Sequence, residues 1–505
     1  MPLSIESLLL FASILFLVSL FATKAGNRFG VPALLLFLFV GMIFGSGGLG
    51  VQFENYKMAQ TIGTVALCII LFSGGLDTKY NDIRPVAAQG VVLATLGVLL
   101  TALITGIFIY YVVNAWFSDI SISFLEAMLL ASVMSSTDSA SVFAILRGKG
   151  VRLKNNLKPL LELESGSNDP MAYMLTIVLI QLITSGQLDT TAYGNAALSF
   201  FLQFIIGAGA GYILGKAAVW LINKINLGND SFYPVLLFTC GIFIFSATYF
   251  IRGNGYLAVY LAGLIIGNAK IVHKRTSIRV FDGLAWLSQI VMFLTLGLLV
   301  NPGELWPVAL ASLLIGAFMT IGGRPLSVFI SLLPFRKMPF RDKFFVSWVG
   351  LKGAVPIIFA IYPLAAGLEN SHFIFNIVFF ITLISLLVQG TSLTRVADWL
   401  GLSHKGADKS EFKDFDVEFA EDIKSTMTEI EVTGDLLRKS GRLMDLPLPD
   451  HTLVVMVKRD GKYFVPKGNT VLMPDDKLLV ITTDEDGLVE TYNSMGIRDY
   501  RLKRN

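Results

Sequence analysis

Apolar residues arrive along most of this chain in long, nearly unbroken runs, such as LLLFASILFLVSLFA at 8–22 and VVLATLGVLLTALITGIFIYYVV at 91–113. A helix of about 20 apolar residues spans the hydrocarbon core of a bilayer. About thirteen such segments are predicted: 3–22, 31–46, 59–76, 85–113, 121–145, 159–184, 196–222, 231–250, 255–270, 282–301, 303–333, 342–365 and 373–399. The pattern changes after residue 400. Residues 401–430 are polar and mixed in charge, and EFKDFDVEFAEDIK reads as a linker with room for a short amphipathic helix. Then TLVVMV (452–457) and YFV (463–465) flank the turn KRDGK, and KLLVIT (477–482) follows MPDD. Short β-branched runs separated by Asp-Gly and Pro-Asp turns predict a small soluble β-rich domain.

Composition agrees with the pattern. The chain is 54% hydrophobic and 15% charged, against about 25% charged in soluble domains, which excludes a soluble protein. Cys68 and Cys240 lie far apart inside apolar runs and read as small buried side chains, with neither metal spacing nor a disulfide framework. The N-terminus lacks a basic region and a clear cleavage site, so the first segment reads as a spanning helix. A net charge of +3 says little, but its placement says more. Lys24, Arg28, Lys79, Arg84, Arg147, Lys149, Arg152, Lys154, Lys158, Lys224, Lys270, Lys274, Arg275, Arg279, Arg336, Lys337 and Arg341 fall in alternate loops, and the opposite set holds little beyond Lys57 and Arg252. The positive-inside rule puts the first set in the cytoplasm. With an odd helix count the N-terminus is then outside and the C-terminus inside.

Ionisable side chains inside a membrane helix cost about 2.5–3.5 kcal/mol each, so they are functional candidates by default. The fifth segment carries SSTDSAS (135–141) around Asp138. Hydroxyl side chains compete for backbone hydrogen bonds and favour local unwinding, which a membrane tolerates only beside a protein-buried or wet cavity. Thr137 and Asp138 would then offer carbonyl, hydroxyl and carboxylate oxygens to a cation. A hydroxyl-rich packing face would explain the serines but not the carboxylate. The sixth segment carries LELESGSNDPMAYM (161–174). Helical spacing sets Glu164 over Asn168 and Ser165 over Asp169, and Pro170 leaves one carbonyl without its usual donor. Glu162 suits the interface near Lys158, whereas Asp169 lies about 15 Å further along the helix. Arg324 in the eleventh segment needs an anionic partner, for which Glu164 is the choice, and a structural ion pair is favoured over contact with substrate. In VGLKGAVPIIFA (349–360), Gly350, Gly353 and Pro356 interrupt the twelfth segment around Lys352. Lys352 either balances helix-end dipoles there or snorkels to the interface.

Interrupted helices at corresponding positions of two halves point to a transporter site. The fifth and twelfth segments lie seven apart, so segments 1–6 and 8–13 read as inverted repeats. The expected class is an all-α polytopic membrane protein of about 13 helices, with inverted repeats, two discontinuous crossing helices and a small cytoplasmic α+β C-terminal domain. The division expected is a transmembrane domain over 1–400, a linker over 401–425, a small soluble domain over 426–490 and a tail over 491–505.

Thr137-Asp138 in a broken helix, Glu164-Ser165-Gly166-Ser167-Asn168-Asp169 in the next, Arg324, and Gly350-Leu351-Lys352-Gly353-Ala354 resemble, in that order, the sodium/proton exchanger branch of the monovalent cation:proton antiporter superfamily. The resemblance covers roughly residues 1–400. It departs in Lys352, where the family has arginine, and in Gly166-Ser167, where bulkier apolar residues are common. It implies a homodimer with a rigid interface domain and a mobile core domain that moves like an elevator. It implies cation coordination by Asp169, Asp138, Ser165 and the Thr137 carbonyl, with Glu164, Asn168, Arg324 and Lys352 in support. Asn168-Asp169, where the electrogenic branch has two aspartates, implies electroneutral exchange. Residues 415–490, best over 443–481, resemble the C-terminal ligand-binding module of potassium-conductance regulators (the RCK C-terminal or TrkA-C type). That module implies a nucleotide or ion as its ligand and tilts the transported ion towards potassium.

The expectation is therefore a plasma (inner) membrane antiporter of K+ for H+, or of Na+ for H+, and not an enzyme. Neither a cofactor nor a nucleic-acid partner is expected; its partners are the bilayer, a second copy and a cytosolic nucleotide regulator. A buried carboxylate favours its proton and a bound cation favours its ionised form, so the two compete at Asp169. An organic-anion symporter would want more cationic groups than Lys352 and Arg324, and a channel would show repeated filter loops. A cation sensor with the tail as output ranks below exchange.

Overall fold

The computed structural model describes residues 5–29, 32–51, 53, 55–117, 121–186, 189–405, 426–432, 441–446, 448–450, 452–459, 462–482, 487 and 501–503. Two compact units divide the chain, 1–405 and 406–505.

Among the described residues, the first unit holds fifteen helices. They are α1 (Ile5–Phe29), α2 (Ala33–Phe44), α3 (Tyr56–Asp77), α4 (Tyr80–Trp116), α5 (Phe124–Val133), α6 (Ser139–Gly148), α7 (Leu157–Ser185), α8 (Thr190–Lys224), α9 (Phe232–Phe250), α10 (Gly255–Asn268), α11 (Lys274–Leu299), α12 (Pro302–Ser331), α13 (Phe340–Trp348), α14 (Ala354–Ala365) and α15 (Ser371–Trp399). Seven of them are each long and apolar enough to cross a bilayer alone. The predicted fifth segment is the pair α5 and α6, and the twelfth is the pair α13 and α14. Counting each pair once gives thirteen segments, in agreement with the reading of the apolar runs.

The breaks follow from the residues. Ser123 caps α5 in a reciprocal capping box with Glu126, and the helix ends where Ser135 turns both its N–H and its hydroxyl onto the Ser132 carbonyl. Hydroxyls that bind nearby carbonyls draw the backbone away from helix. Gly350 and Gly353 leave the second break without side chains where other groups press closest. A methyl group at 350 would lie 2.5 Å from Arg324 Nε, and one at 353 would lie 2.1 Å from Asp138 Oδ2. Two further departures from α geometry are single π-turns, Leu93–Gly97 in α4 and Met319–Gly323 in α12. Ser327 Oγ, one turn beyond the second of them, donates at 2.9 Å to the carbonyl of Gly97, the last residue of the first. Turns of this kind gather at functional sites, and the second immediately precedes Arg324.

The core of this unit centres on α14, whose Ile357, Ile358, Phe359, Ala360 and Ile361 are all fully buried. A helix apolar all round belongs at the centre of its bundle. On the flank, small residues let backbones meet: a methyl group at Gly41 would lie 2.5 Å from the Leu294 carbonyl oxygen, and one at Gly263 would lie 2.5 Å from that of Phe72. Membrane helices associate through such small-residue contacts. Two short strands close the cytoplasmic end expected from the charge pattern: β1 (Val151–Leu153) pairs antiparallel with β2 (Ser403–Lys405). Neither was expected, because three residues carry no readable alternation. Through them the chain leaving α15 is bound to the loop between α6 and α7.

The second unit is a five-stranded antiparallel sheet in the order β5-β4-β6-β3-β7. Its strands are β3 (Thr426–Glu431), β4 (Thr452–Arg459), β5 (Lys462–Phe464), β6 (Lys477–Thr482) and β7 (Arg501–Lys503). Ile430, Val432, Val454, Val457, Leu478 and Val480 form the core of its described part. Arg459 closes a two-pronged ion pair on buried Asp476, Nε–Oδ1 2.8 Å and Nη2–Oδ2 2.7 Å. The sheet reaches further than the alternation suggested: β7 lies in the stretch read as a tail, where Arg-Leu-Lys gives no apolar pattern. The amphipathic stretch 411–424 lies outside the described residues.

Candidate functional site: the crossing of two broken helices

The two breaks lie against each other. The Asp138 N–H donates to the Leu351 carbonyl at 2.9 Å, and Lys352 Nζ donates to the Ser136 carbonyl at 2.9 Å. α7 runs unbroken beside them through Pro170 and brings Glu164, Ser165, Asn168 and Asp169 to the crossing. Thr137, Asp138, Glu164, Ser165, Asn168, Asp169, Arg324 and Lys352 therefore lie in one cluster. Lys352 is only 2% exposed and Asp169 6%, so both are enclosed by protein.

The α7 residues divide between two faces. Ser165 Oγ donates to the Thr137 carbonyl at 2.6 Å and accepts from the Ser139 N–H at 3.0 Å. Asn168 Nδ2 donates to Thr137 Oγ1 at 2.6 Å. Asp169 Oδ1 accepts from Ser136 Oγ at 2.6 Å. These three side chains hold the unwound backbone of residues 136–139 from one side. Glu164 points elsewhere, to Arg324 Nη2 at 2.6 Å, with both side chains buried. The same Nη2 approaches the Val346 carbonyl at the end of α13. A buried ion pair is stable only when its remaining polar atoms are also provided for. Here one atom is not: Arg324 Nε has no hydrogen-bond partner among the described residues, and it faces Gly350.

The two carboxylates sit in different chemistry. Asp138 is the N-cap of α6: its Oδ1 accepts the Ser141 N–H at 3.0 Å, and its Oδ2 accepts the Ser141 hydroxyl at 2.5 Å. An N-cap carboxylate also meets the positive end of the helix dipole. Gly353, next to the start of α14, comes against the same Oδ2, so Asp138 stands between two helix N-termini. Among the described residues Asp169 has one hydrogen bond, from Ser136 Oγ. Lys352 is held at its backbone by Ser385 Oγ, 2.9 Å from its N–H. Ser385 in turn bonds Gln389, which donates to the Trp348 carbonyl at 3.0 Å.

Four supporting residues were not assigned from the sequence. Ser136 and Ser141 stood inside the quoted SSTDSAS stretch, but spacing alone does not tell a carboxylate's donor from a packing hydroxyl. Ser385 and Gln389 lie in an ordinary apolar run with no signal beyond their polarity.

The arrangement gathers carboxylate, hydroxyl and carbonyl oxygens at one point of a membrane-buried bundle, with Lys352 Nζ on the Ser136 carbonyl and the Arg324 guanidinium on Glu164. Comparison with known proteins agrees. Residues 12–399 match the family described as sodium/hydrogen exchanger, transmembrane, and residues 442–491 match the TrkA-C domain. The chain is 40% identical over 488 residues to the K(+)/H(+) antiporter NhaP of Alkalimonas amylolytica, covering 95% of this chain and 81% of that one. It is 37% identical over 492 residues to K(+)/H(+) antiporter NhaP2 of Shewanella sp. (strain MR-4), with the same coverage. The sodium proton antiporter MjNhaP1 from Methanocaldococcus jannaschii shares the fold, with a TM-score of 0.67 at 20% identity over 77% of this chain and 97% of that one. On the strength of the match across its whole membrane unit, this chain belongs to the sodium/hydrogen exchanger family.

Proposed function

We propose that this protein is a secondary active K+/H+ antiporter in which cation and proton compete at Asp169. The observation that carries the reading is the inequality of the two carboxylates. Both oxygens of Asp138 are occupied in capping α6, which leaves it the less free of the two to exchange a ligand. Among the described residues Asp169 has a single donor, Ser136, which leaves lone pairs for a proton or a cation. Desolvation favours the protonated form of such a group, and a nearby cation favours the ionised form. Each ligand therefore expels the other, and either one neutralises the site.

Asp138, Ser165 and the Thr137 carbonyl complete the cation's oxygen shell, Asn168 holds Thr137, and Glu164–Arg324 and Lys352 keep the crossing rigid. With one exchanging carboxylate, one cation replaces one proton and no net charge moves. A membrane potential then has no purchase on the cycle, whereas each uncompensated charge would feel about 2.3 kcal/mol per 100 mV. Potassium is preferred as substrate because the relatives at 37–40% identity are named for it. A Na+/H+ cycle is the second reading, favoured by the Methanocaldococcus relative named probable Na(+)/H(+) antiporter 2, 28% identical over 371 residues.

The protein works as a homodimer in the plasma (inner) membrane, N-terminus outside and C-terminus in the cytoplasm. It has a transmembrane domain over 1–400, a linker to 425, a regulatory domain over 426–490 that takes a nucleotide or ion, and a tail to 505. It needs no cofactor and catalyses no chemical reaction. The test is proton movement in sealed vesicles on adding KCl or NaCl, with the membrane potential clamped by an ionophore. Wild-type exchange should be unchanged by the clamp and absent in Asp169→Asn. Undiminished exchange in that variant would sink the assignment. Repeating it without residues 401–505 gives the sign of regulation: loss means activation by the tail, and gain means autoinhibition.

A further inference from the structure

One turn before Asp169 on α7, the hydroxyl end of the Tyr260 ring from α10 packs against Gly166. A methyl group at 166 would stand 2.4 Å from Tyr260 Cε2 and 2.9 Å from its hydroxyl oxygen. The glycine that replaces a bulkier residue of the family motif is therefore the seat of this tyrosine. Tyr260 is 2% exposed, and its hydroxyl has no hydrogen-bond partner in good geometry among the described residues. Buried hydroxyls are nearly always paired, and an unpaired one calls for an explanation. Its polar neighbours are Thr78 at the end of α3, Ser167, and the carboxylate of Glu162. Thr78 already donates its hydroxyl proton to the Gly74 carbonyl at 2.7 Å, so its oxygen presents only lone pairs to the space. Glu162 and Ser167 are half-buried, and Lys158 lies 3.8 Å from Glu162 on the outer side.

Resting on the assignment of Asp169 as the exchange site, we propose that Tyr260, Thr78, Ser167 and Glu162 form a second cation subsite on the approach to it, and that this subsite sets the preference among Li+, Na+ and K+. One carboxylate and three hydroxyl oxygens suit a monovalent cation that has shed part of its water. Hydroxyls act as acceptors as readily as donors, and oxygens fixed in a passage stand in for the hydration shell, as in selectivity filters. Because the ions differ in radius, oxygens at fixed positions replace that shell unequally well. The Tyr260 ring, seated on Gly166, places this cluster one turn of α7 from Asp169. A merely structural tyrosine would fill the space equally well without its hydroxyl.

The test uses full-length protein in sealed vesicles, with proton movement read on titrating LiCl, NaCl and KCl. Tyr260→Phe keeps the ring and Thr78→Val keeps the volume, and each removes one oxygen. Each should raise apparent KM by about fivefold for at least one cation, the size of one lost polar contact, and unequally across the three. An unchanged KM, or an equal rise for all three cations, overturns the subsite while leaving exchange at Asp169 standing. Asp169→Asn run beside them separates the two ideas: exchange persisting there overturns the reading on which the subsite rests. Gly166→Ala should slow exchange through its collision with the ring, and Gly166→Ala with Tyr260→Ala should restore turnover at a raised KM. A fully active Gly166→Ala would contradict the seating of the ring.

Discussion

Residues 134–138 and 349–353 are breaks of equal length at equivalent places in the two halves of the membrane unit, and they carry opposite chemistry. The first offers hydroxyls, carbonyls and the Asp138 carboxylate. The second offers two glycines, Lys352 and, against Gly350, the Arg324 guanidinium. An inverted repeat duplicates geometry and leaves charge free to diverge. Each broken helix ends in unsatisfied carbonyls and begins again with unsatisfied N–H groups. At the first break the new N-terminus is capped by Asp138, and at the crossing the carbonyl end is met by Lys352. The first break is thus capped at its new N-terminus from within its own half and met at its carbonyl end from the other, and α7 supplies Asp169, which among the described residues has one hydrogen bond, from Ser136. A symmetric pair of acidic breaks would bind cations more strongly but would leave the carbonyl ends without a counter-charge.

That comparison is most easily broken at its ion pair. Glu164→Ala leaves Arg324 buried and unpaired, at a cost of about 3–5 kcal/mol. The thermal midpoint of the purified protein should fall steeply, and Glu164→Gln with Arg324→Met should recover much of it. If Glu164→Ala alone is as stable as wild type, the second break does not depend on this pair. Next in size is Gly353→Ala, whose methyl group has no room beside Asp138. Overpacking of this kind costs about 1–3 kcal/mol, and exchange should fall with it. Full activity in Gly353→Ala would show that the breaks are not pressed together.

Smaller effects sharpen the contrast. Ser141→Ala removes part of the Asp138 cap and should cost about 1 kcal/mol, whereas Ser136→Ala should act on exchange at Asp169 more than on stability. Equal effects of the two serines on both readouts would contradict the division of labour between the carboxylates. Competition also fixes a pH dependence: lowering pH should raise the apparent KM for K+ without changing the maximal rate, approaching about tenfold per pH unit at the acid limit. A maximal rate that falls while KM holds would point to a proton bound elsewhere. The smallest effect belongs to the tether. Truncation after Lys405 keeps the β1–β2 pairing and truncation after Leu400 removes it. Any difference in exchange rate between the two truncations measures what that pairing transmits.

Much of this was legible in the chain because a membrane makes polarity expensive. In an apolar background, Asp138, Asp169, Glu164, Arg324 and Lys352 stand out by cost alone, and one partner choice, Arg324 with Glu164, followed from charge. Apolar run lengths located the thirteen segments, and hydroxyls and glycines located both breaks. What the sequence withheld were contacts between distant elements with no periodic signature. Ser385 behind Lys352, and Tyr260 over Gly166, depend on how α15 and α10 pack. The strands β2 and β7 are too short and too polar to alternate, so only pairing reveals them. Ser136 was visible as a hydroxyl, but its task of meeting Asp169 required the path of the unwound backbone.

The central claim is that one carboxylate takes either a proton or a cation. It is tested most directly by adding K+ to purified, detergent-solubilised protein in weak buffer and measuring the protons released. The account predicts saturable release of up to one proton per chain, as far as the site is protonated at the starting pH, absent in Asp169→Asn and retained in Lys352→Arg. Potassium binding without proton release, or release that survives Asp169→Asn, would contradict it.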